Sequence, residues 1–195
     1  MNKITPFLWF NDNAEEAAEF YLSVFPETRK VAELRSSGVG PWPAGKIATI
    51  TIELMGQEMT FLNGGPAQTL TPAFSYSVAC KDQAEIDHYW DKLLQGGKPM
   101  ACGWLTDRFG LCWQIVPANI GEIVSHPKAM AAMMQMVKFD LAALERLRRR
   151  SRSGAVGARL VGVRGQRGRA ARSLPCALSM RNSGALGEPG VSALR

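Results

Sequence analysis

The stretch Asn13-Ala14-Glu15-Glu16-Ala17-Ala18-Glu19-Phe20-Tyr21 decides how this chain is read, because it returns as Asp82-Gln83-Ala84-Glu85-Ile86-Asp87-His88-Tyr89-Trp90. Asn13 pairs with Asp82, Glu16 with Glu85, Phe20 with Tyr89 and Tyr21 with Trp90. Each copy opens on a helix-capping residue followed three places on by a glutamate, the signature of a capping box. Each follows a short apolar, strand-like run and precedes more of them. A supersecondary unit written twice predicts two copies packed together, with a site between them.

Working outward, residues 4–10 read as a first strand. Ala17, Phe20, Tyr21 and Val24 form the buried face of the first helix, which Pro26 stops. A second strand is expected over 30–34, and the Gly/Pro-rich 36–45 reads as a loop. From 46 to 55 the chain alternates, with Ala48, Ile50, Ile52 and Leu54 on one face and Thr49, Thr51 and Glu53 on the other. Gly56-Gln57 turns it into 58–62 as a hairpin, and Asn63-Gly64-Gly65-Pro66 closes the unit. The second unit opens with 74–80. Its helix carries a stripe of Ile86, Tyr89, Trp90, Leu93 and Leu94 and ends at Gly96-Gly97. Short strands at about 98–102 and 111–116 turn at 107–110. Helix-rich sequence from 127 to 149 follows, with Met130, Met133, Met134 and Met136 as packing residues and Asp140 as a last cap. The fold class expected is α+β: two βαβββ repeats, about 3–65 and 73–117, forming a curved mixed sheet around a cleft. C-terminal helices over about 120–147 complete one domain, residues 1–147.

Residues 148–195 are different material, an Arg/Gly/Ala-rich tail expected to be disordered. From 151 onward there is no Lys, Asp, Thr, Ile, Phe, Tyr, Trp or His, and eight arginines face one acid. That +7 balance accounts for the whole net charge of +6 and leaves residues 1–150 at −1, so the basic character says nothing about the domain's partners. A GC-rich gene read in a shifted frame, a solvated linker and a basic nucleic-acid arm all fit the composition; the missing aromatics weigh against the last. The N-terminus lacks the apolar run and cleavage site of a secretory signal. No apolar run is long enough to span a membrane. The four cysteines (80, 102, 112 and 176) show no Cys-x-x-Cys spacing. Reduced thiols in a cytoplasmic protein are expected, with a Cys102–Cys112 disulfide left open.

The paired units resemble the vicinal oxygen chelate superfamily, which includes glyoxalase I, extradiol dioxygenases and bleomycin-resistance proteins. The finer resemblance is to its PhnB-like group. It is carried by Phe7-Leu8-Trp9-Phe10-Asn11, Ala14-Glu15-Glu16-Ala17 through Phe20-Tyr21, Val24-Phe25-Pro26, and Asp87-x-x-Trp90-x-x-Leu93. The most specific stretch is Cys102-Gly103-Trp104-Leu105-Thr106-Asp107-Arg108-Phe109-Gly110-Leu111-Cys112-Trp113-Gln114-Ile115-Val116-Pro117. The resemblance covers about 3–147.

Enzymes of the superfamily hold a divalent metal in the cleft through His and Glu side chains on four strands, where it polarises adjacent substrate oxygens. The resemblance puts Thr5 at the first ligand position, Thr60 and Ser75 near the second and third, and Gln114 at the fourth, where metalloenzyme relatives carry Glu. Hydroxyls and an amide suit a first-row divalent metal poorly. Only His88 and His126 are present. His88 lies off the apolar stripe of its helix and His126 precedes Pro127, so neither is expected in the cleft. The expectation is therefore a small-molecule binding protein with no metal or other cofactor, acting as a homodimer. Its expected ligand-binding residues are Thr5, Trp9, Thr60, Asn63, Ser75, Cys102, Trp104 and Gln114. The alternative is a metal-dependent enzyme, of lyase or dioxygenase type, on a vicinal-oxygen substrate. A weaker one is the 3-demethylubiquinone-9 3-methyltransferase label that some of the group carry. Gly64-Gly65 precedes Pro66 rather than a helix, and Gly96-Gly97 ends one, so neither reads as a nucleotide-type turn. Asp107-Arg108 is read as a solvated turn pair.

Overall fold

Alternating strands and the two quoted helices build the same unit twice. The structure is a computed structural model that describes residues 3–39 and 42–156. Along the chain run β1 (Phe7–Phe10), α1 (Ala14–Val24), β2 (Thr28–Arg35), β3 (Ile47–Leu54) and β4 (Gln57–Asn63). The second unit comprises β5 (Ser75–Cys80), α2 (Gln83–Leu93), β6 (Lys98–Pro99), β7 (Trp104–Thr106) and β8 (Cys112–Pro117). Then come α3 (Ile120–Val124), α4 (Pro127–Met133) and α5 (Leu141–Val156). The strand orders β1-β4-β3-β2 and β5-β8-β7-β6 are copies of each other. In each, the first strand lies parallel to the last and the remaining pairs are antiparallel. The α+β class and the βαβββ repeat are thus observed, with the curved layer made of two separately hydrogen-bonded sheets.

Three local expectations change. Asn13 makes no side-chain cap on α1. Its place is taken by Asn63, whose Oδ1 accepts from Ala14 N at 2.9 Å. In the second unit Asp82 does cap, accepting from Glu85 N at 2.9 Å, while the Glu85 carboxylate accepts from Lys81 N at 2.8 Å. The strand expected at 98–102 shrinks to Lys98–Pro99, because Cys102 and Gly103 turn through positive φ of 61° and 75°. The strand then resumes as β7. Cys112 is a free thiol, so the Cys102–Cys112 disulfide is not formed.

The hairpin forms as expected, with its turn one residue earlier than Gly56-Gln57: Met55 and Gly56 both have positive φ, 49° and 84°, which suits the twist of the flanking strands. Helix α5 carries the chain past 147 to Val156. The rest of the tail, 157–195, to which the disorder, shifted-frame and nucleic-acid readings apply, lies outside the described residues. Among the described residues no helix is long and apolar enough to cross a membrane.

What joins the units is aromatic. The Tyr21 ring of α1 lies 5.7 Å from Phe61 of β4 and 5.5 Å from Trp113 of β8. Phe25, just past α1, stacks on Trp113 at 5.2 Å and on Tyr89 of α2 at 5.0 Å. The Arg108 guanidinium lies over Phe20 at 4.3 Å and Phe109 at 4.9 Å. Rings of this size contribute most of a small core's buried area.

Candidate functional site: two polar sheet faces

Side chains alternate along a strand, so the faces of each sheet can be assigned from its core contacts. Phe61 and Trp113 face α1; Thr60 and Gln114, their chain neighbours, therefore face the other way. In the first sheet Phe7, Thr60, Thr51 and Ala32 sit opposite one another across four strands. Trp9, Leu62, Thr49 and Leu34 form the next row. In the second sheet Trp104, Gln114 and Ser77 form one row and Thr106, Cys112 and Ser75 another. Two hydrogen bonds organise these faces: Thr51 Oγ1 to Thr60 Oγ1 at 2.9 Å, and Gln114 Nε2 donating to Ser75 Oγ at 2.8 Å. Each face is a neutral, polar centre beside a tryptophan.

The predicted site residues divide accordingly. Trp9 and Thr60 share the first face; Ser75, Trp104 and Gln114 share the second. Thr5 precedes β1 and is half-buried. Trp9 donates Nε1–H to Gly65 O at 2.8 Å. Its ring lies where a Cβ on Gly64 would fall, so only glycine fits there. Asn63 is fully buried and presents nothing to a ligand: beyond the Ala14 cap, its Nδ2 donates to Ile47 O at 3.0 Å and Glu15 Oε2 at 2.6 Å. Cys102 turns its Sγ to within 3.7 Å of Met134 Sδ, under the segment after α4. In a single chain the two faces do not converge, because the aromatic core holds the sheets together by their other sides.

Sequence reasoning missed Asp107, which is not a solvated turn residue but 3% exposed. Its Oδ2 accepts from the Tyr21 hydroxyl at 2.7 Å and Trp113 Nε1 at 2.8 Å. Its Oδ1 accepts from the backbone N–H of Phe109 at 2.9 Å and Leu111 at 3.1 Å. Burial pushes its carboxyl above the ordinary aspartate value, against the downward pull of those four donors. Burial, then the Asp107 charge, keeps the Tyr21 phenol protonated. The Asp-x-x-Gly sequence signals a turn. Nothing local signals the burial, since Tyr21 is 86 residues away.

His88 Nε2 lies 3.1 Å from Val24 O, and His126 sits at the start of α4 beside Ser125 and Glu122. Neither belongs to the polar faces. Burial raises the Cys80 thiol to about 12, which makes it a poor nucleophile. Among the described residues no three His, Cys, Asp or Glu side chains cluster to hold a metal.

The family model for 3-demethylubiquinone-9 3-methyltransferase matches residues 2–116. Among solved structures, the PhnB protein of Bacillus cereus is 36% identical, with a TM-score of 0.55, covering 60% of this chain and 100% of that one. Protein PA1353 of Pseudomonas aeruginosa is 24% identical, with a TM-score of 0.48, covering 58% of this chain and 95% of that one. The fosfomycin resistance protein FosX of Listeria monocytogenes is 12% identical, with a TM-score of 0.45, covering 62% of this chain and 94% of that one. Comparison with curated protein sequences gives no match. With more than half of its length matched and the doubled βαβββ unit in place, the chain belongs to the 3-demethylubiquinone-9 3-methyltransferase family, to which the PhnB-like resemblance pointed.

Proposed function

We propose that this protein binds a small molecule against the polar faces of its sheets, each face completed by a second copy of the chain, and that it does so without a resident catalytic metal. The observation that carries the reading is the pair of neutral centres, Thr51–Thr60 and Ser75–Gln114, each beside a half-buried tryptophan. Hydroxyls and an amide can exchange hydrogen bonds with a ligand's polar groups, while Trp9 and Trp104 offer flat apolar walls; few polar groups in an aromatic lining is how small-molecule sites are built. The same side chains are poor ligands for a first-row divalent metal. Methyl transfer draws no support from Gly64-Gly65, which packs against the Trp9 ring and leads into no helix.

The metal-dependent alternative has one observation of its own. Glu53 and Glu58 are directly paired on the first polar face, although Glu53 is engaged by Arg29 at 2.6 Å. Elemental mass spectrometry separates the readings, on the full chain dialysed against a trace mixture of Mn, Fe, Co, Ni and Zn. The expected result is a metal content far below one per chain. Close to one per chain overturns the metal-free reading and makes the carboxylate pair the first place to mutate.

A further inference from the structure

The β1–α1 turn, the segment 66–70 and the turn after Asp107 meet around a cavity of about 260 Å³, roughly nine times the volume a water molecule takes in the liquid. Its apolar walls are built by Trp9, Phe10, Leu70 and Phe109. Its polar lining includes Asn13 from the first repeat, Arg108 from the second and Gln68 between them. Among the described residues no Asp or Glu lines it. Two of its donors are uncommitted. Asn13 makes no side-chain cap, because Asn63 has taken that place. Arg108 donates no hydrogen bond among the described residues, whereas Arg29, Arg35 and Arg148 all do. Its ion pair with Glu16 spans 3.6 Å, too long for a hydrogen bond, between side chains 38% and 62% exposed.

Arg108 is nevertheless held in place. Asp107 Oδ1 accepts from Phe109 N and Leu111 N and so pins the turn that carries it. The guanidinium lies over the Phe20 and Phe109 rings at 4.3 Å and 4.9 Å. A planar guanidinium fixed by its face, with its N–H groups unspent, can meet a carboxylate through two parallel hydrogen bonds. We propose that this cavity receives a small monocarboxylate with an apolar, ring-sized body. Arg108 takes the charge, Asn13 and Gln68 offer amide N–H groups, and Trp9 and Phe109 flank the body. One cation with Glu16 close by matches a single negative charge better than the near-double charge of a phosphate. Trp9 also belongs to the first polar face, so the inference rests on the reading of that face as a binding site and names the ligand class held at its Trp9 end.

The test uses the full chain and two probes, phenylacetate and phenylacetamide, which share a ring and a shape and differ in charge. Dissociation constants are read at neutral pH from the indole N–H resonances of Trp9 and Trp104, assigned by their loss in Trp9→Phe and Trp104→Phe. At the Trp9 resonance the wild type should prefer the carboxylate by about tenfold, the worth of a charge-assisted hydrogen bond at a partly exposed site. Raising the ionic strength should shrink that preference. Arg108→Gln should abolish it and leave the affinity for the amide in place. Glu16→Gln, a change at an exposed position, should tighten phenylacetate by about twofold and leave phenylacetamide unchanged. The Glu16→Gln and ionic-strength measurements decide the matter even where Arg108→Gln fails to fold. Equal affinities for the two probes, or a preference that survives Arg108→Gln, overturn the carboxylate class and leave Trp9 at a site for neutral ligands. Shifts at Trp104 with none at Trp9 overturn this inference alone. If neither resonance moves with either probe, the inference falls together with the reading it rests on.

Discussion

At the scale of single residues, Asp107 carries the largest consequence. Its four donors come from both units, two of them the Tyr21 phenol and the Trp113 indole of the central aromatic cluster. An amide in its place keeps the shape but sets a donor against at least one pair of donors. Asp107→Asn should therefore cost about 2–4 kcal/mol in urea unfolding. A loss below about 1 kcal/mol would show that the cluster, and not the carboxylate, holds the units together. The pH dependence has a definite sign. Burial raises the folded-state value above that of the unfolded chain. In the window between the ordinary aspartate value and that raised one, the unfolded chain has already released its proton. Asp107's contribution is fully present below that window and is lost as pH rises through it. The slope should be flatter in Asp107→Asn, and carboxyl NMR of the folded protein reads the raised value directly.

At the scale of elements, the two helices look alike in sequence and are capped differently. Asp82 serves its own helix, but Asn13 does not, and α1 is capped by a residue at the far end of β4. Asp82→Ala should cost about 1 kcal/mol, an ordinary cap loss. Asn63→Ala should cost about 3 kcal/mol, because it strands the buried Ala14 N–H and Ile47 carbonyl together. Asn13→Ala should be nearly silent; a loss matching that of Asp82→Ala would restore the local capping box. The same contrast explains what was legible beforehand. The strand–helix pattern, the hairpin and the pairing of the repeats rest on local periodicity and turn chemistry, and these can be read from 46–62 or 82–94 alone. Asn63 was read as a site residue because it ends a strand before Gly64-Gly65, and its cap partner is 49 residues away. The β6–β7 break was missed for a similar reason. Gly103 must pass within reach of Phe139 and the Ile115 carbonyl, a crowding set by tertiary packing. Thr60 and Gln114 were placed by the family resemblance, and the observed strand register sets them, with Trp104, on the polar faces. Which way those faces turn depends on how Tyr21 and Trp113 pack, and no local pattern encodes that.

At the scale of the whole molecule, the aromatic core turns the polar faces outward and leaves the first of them unusually apolar at its rim. Phe7 and Leu34, on adjacent rows of that face, are each 61% exposed. A sheet face with two large exposed apolar residues beside threonines and a half-buried tryptophan suits a partner better than bulk water. On the proposed reading the partner is a second copy, whose own face closes the site. A two-fold arrangement uses each face twice, so every substitution there counts twice. Replacing both residues by glutamate, in Phe7→Glu/Leu34→Glu, removes about 1.5–3 kcal/mol of burial per side chain and adds repulsion. The dimer dissociation constant should rise more than about 100-fold. The circular dichroism of the variant should match the wild type, because neither side chain belongs to the core of a single chain. Sedimentation velocity across a dilution series checks this directly. A wild-type chain that sediments as a monomer at every concentration, or a double variant that dimerises as tightly as the parent, would place the partner surface elsewhere. The polar faces would then have to bind their ligand as open surfaces, which two hydrogen-bonded pairs and two tryptophans are too shallow to do tightly.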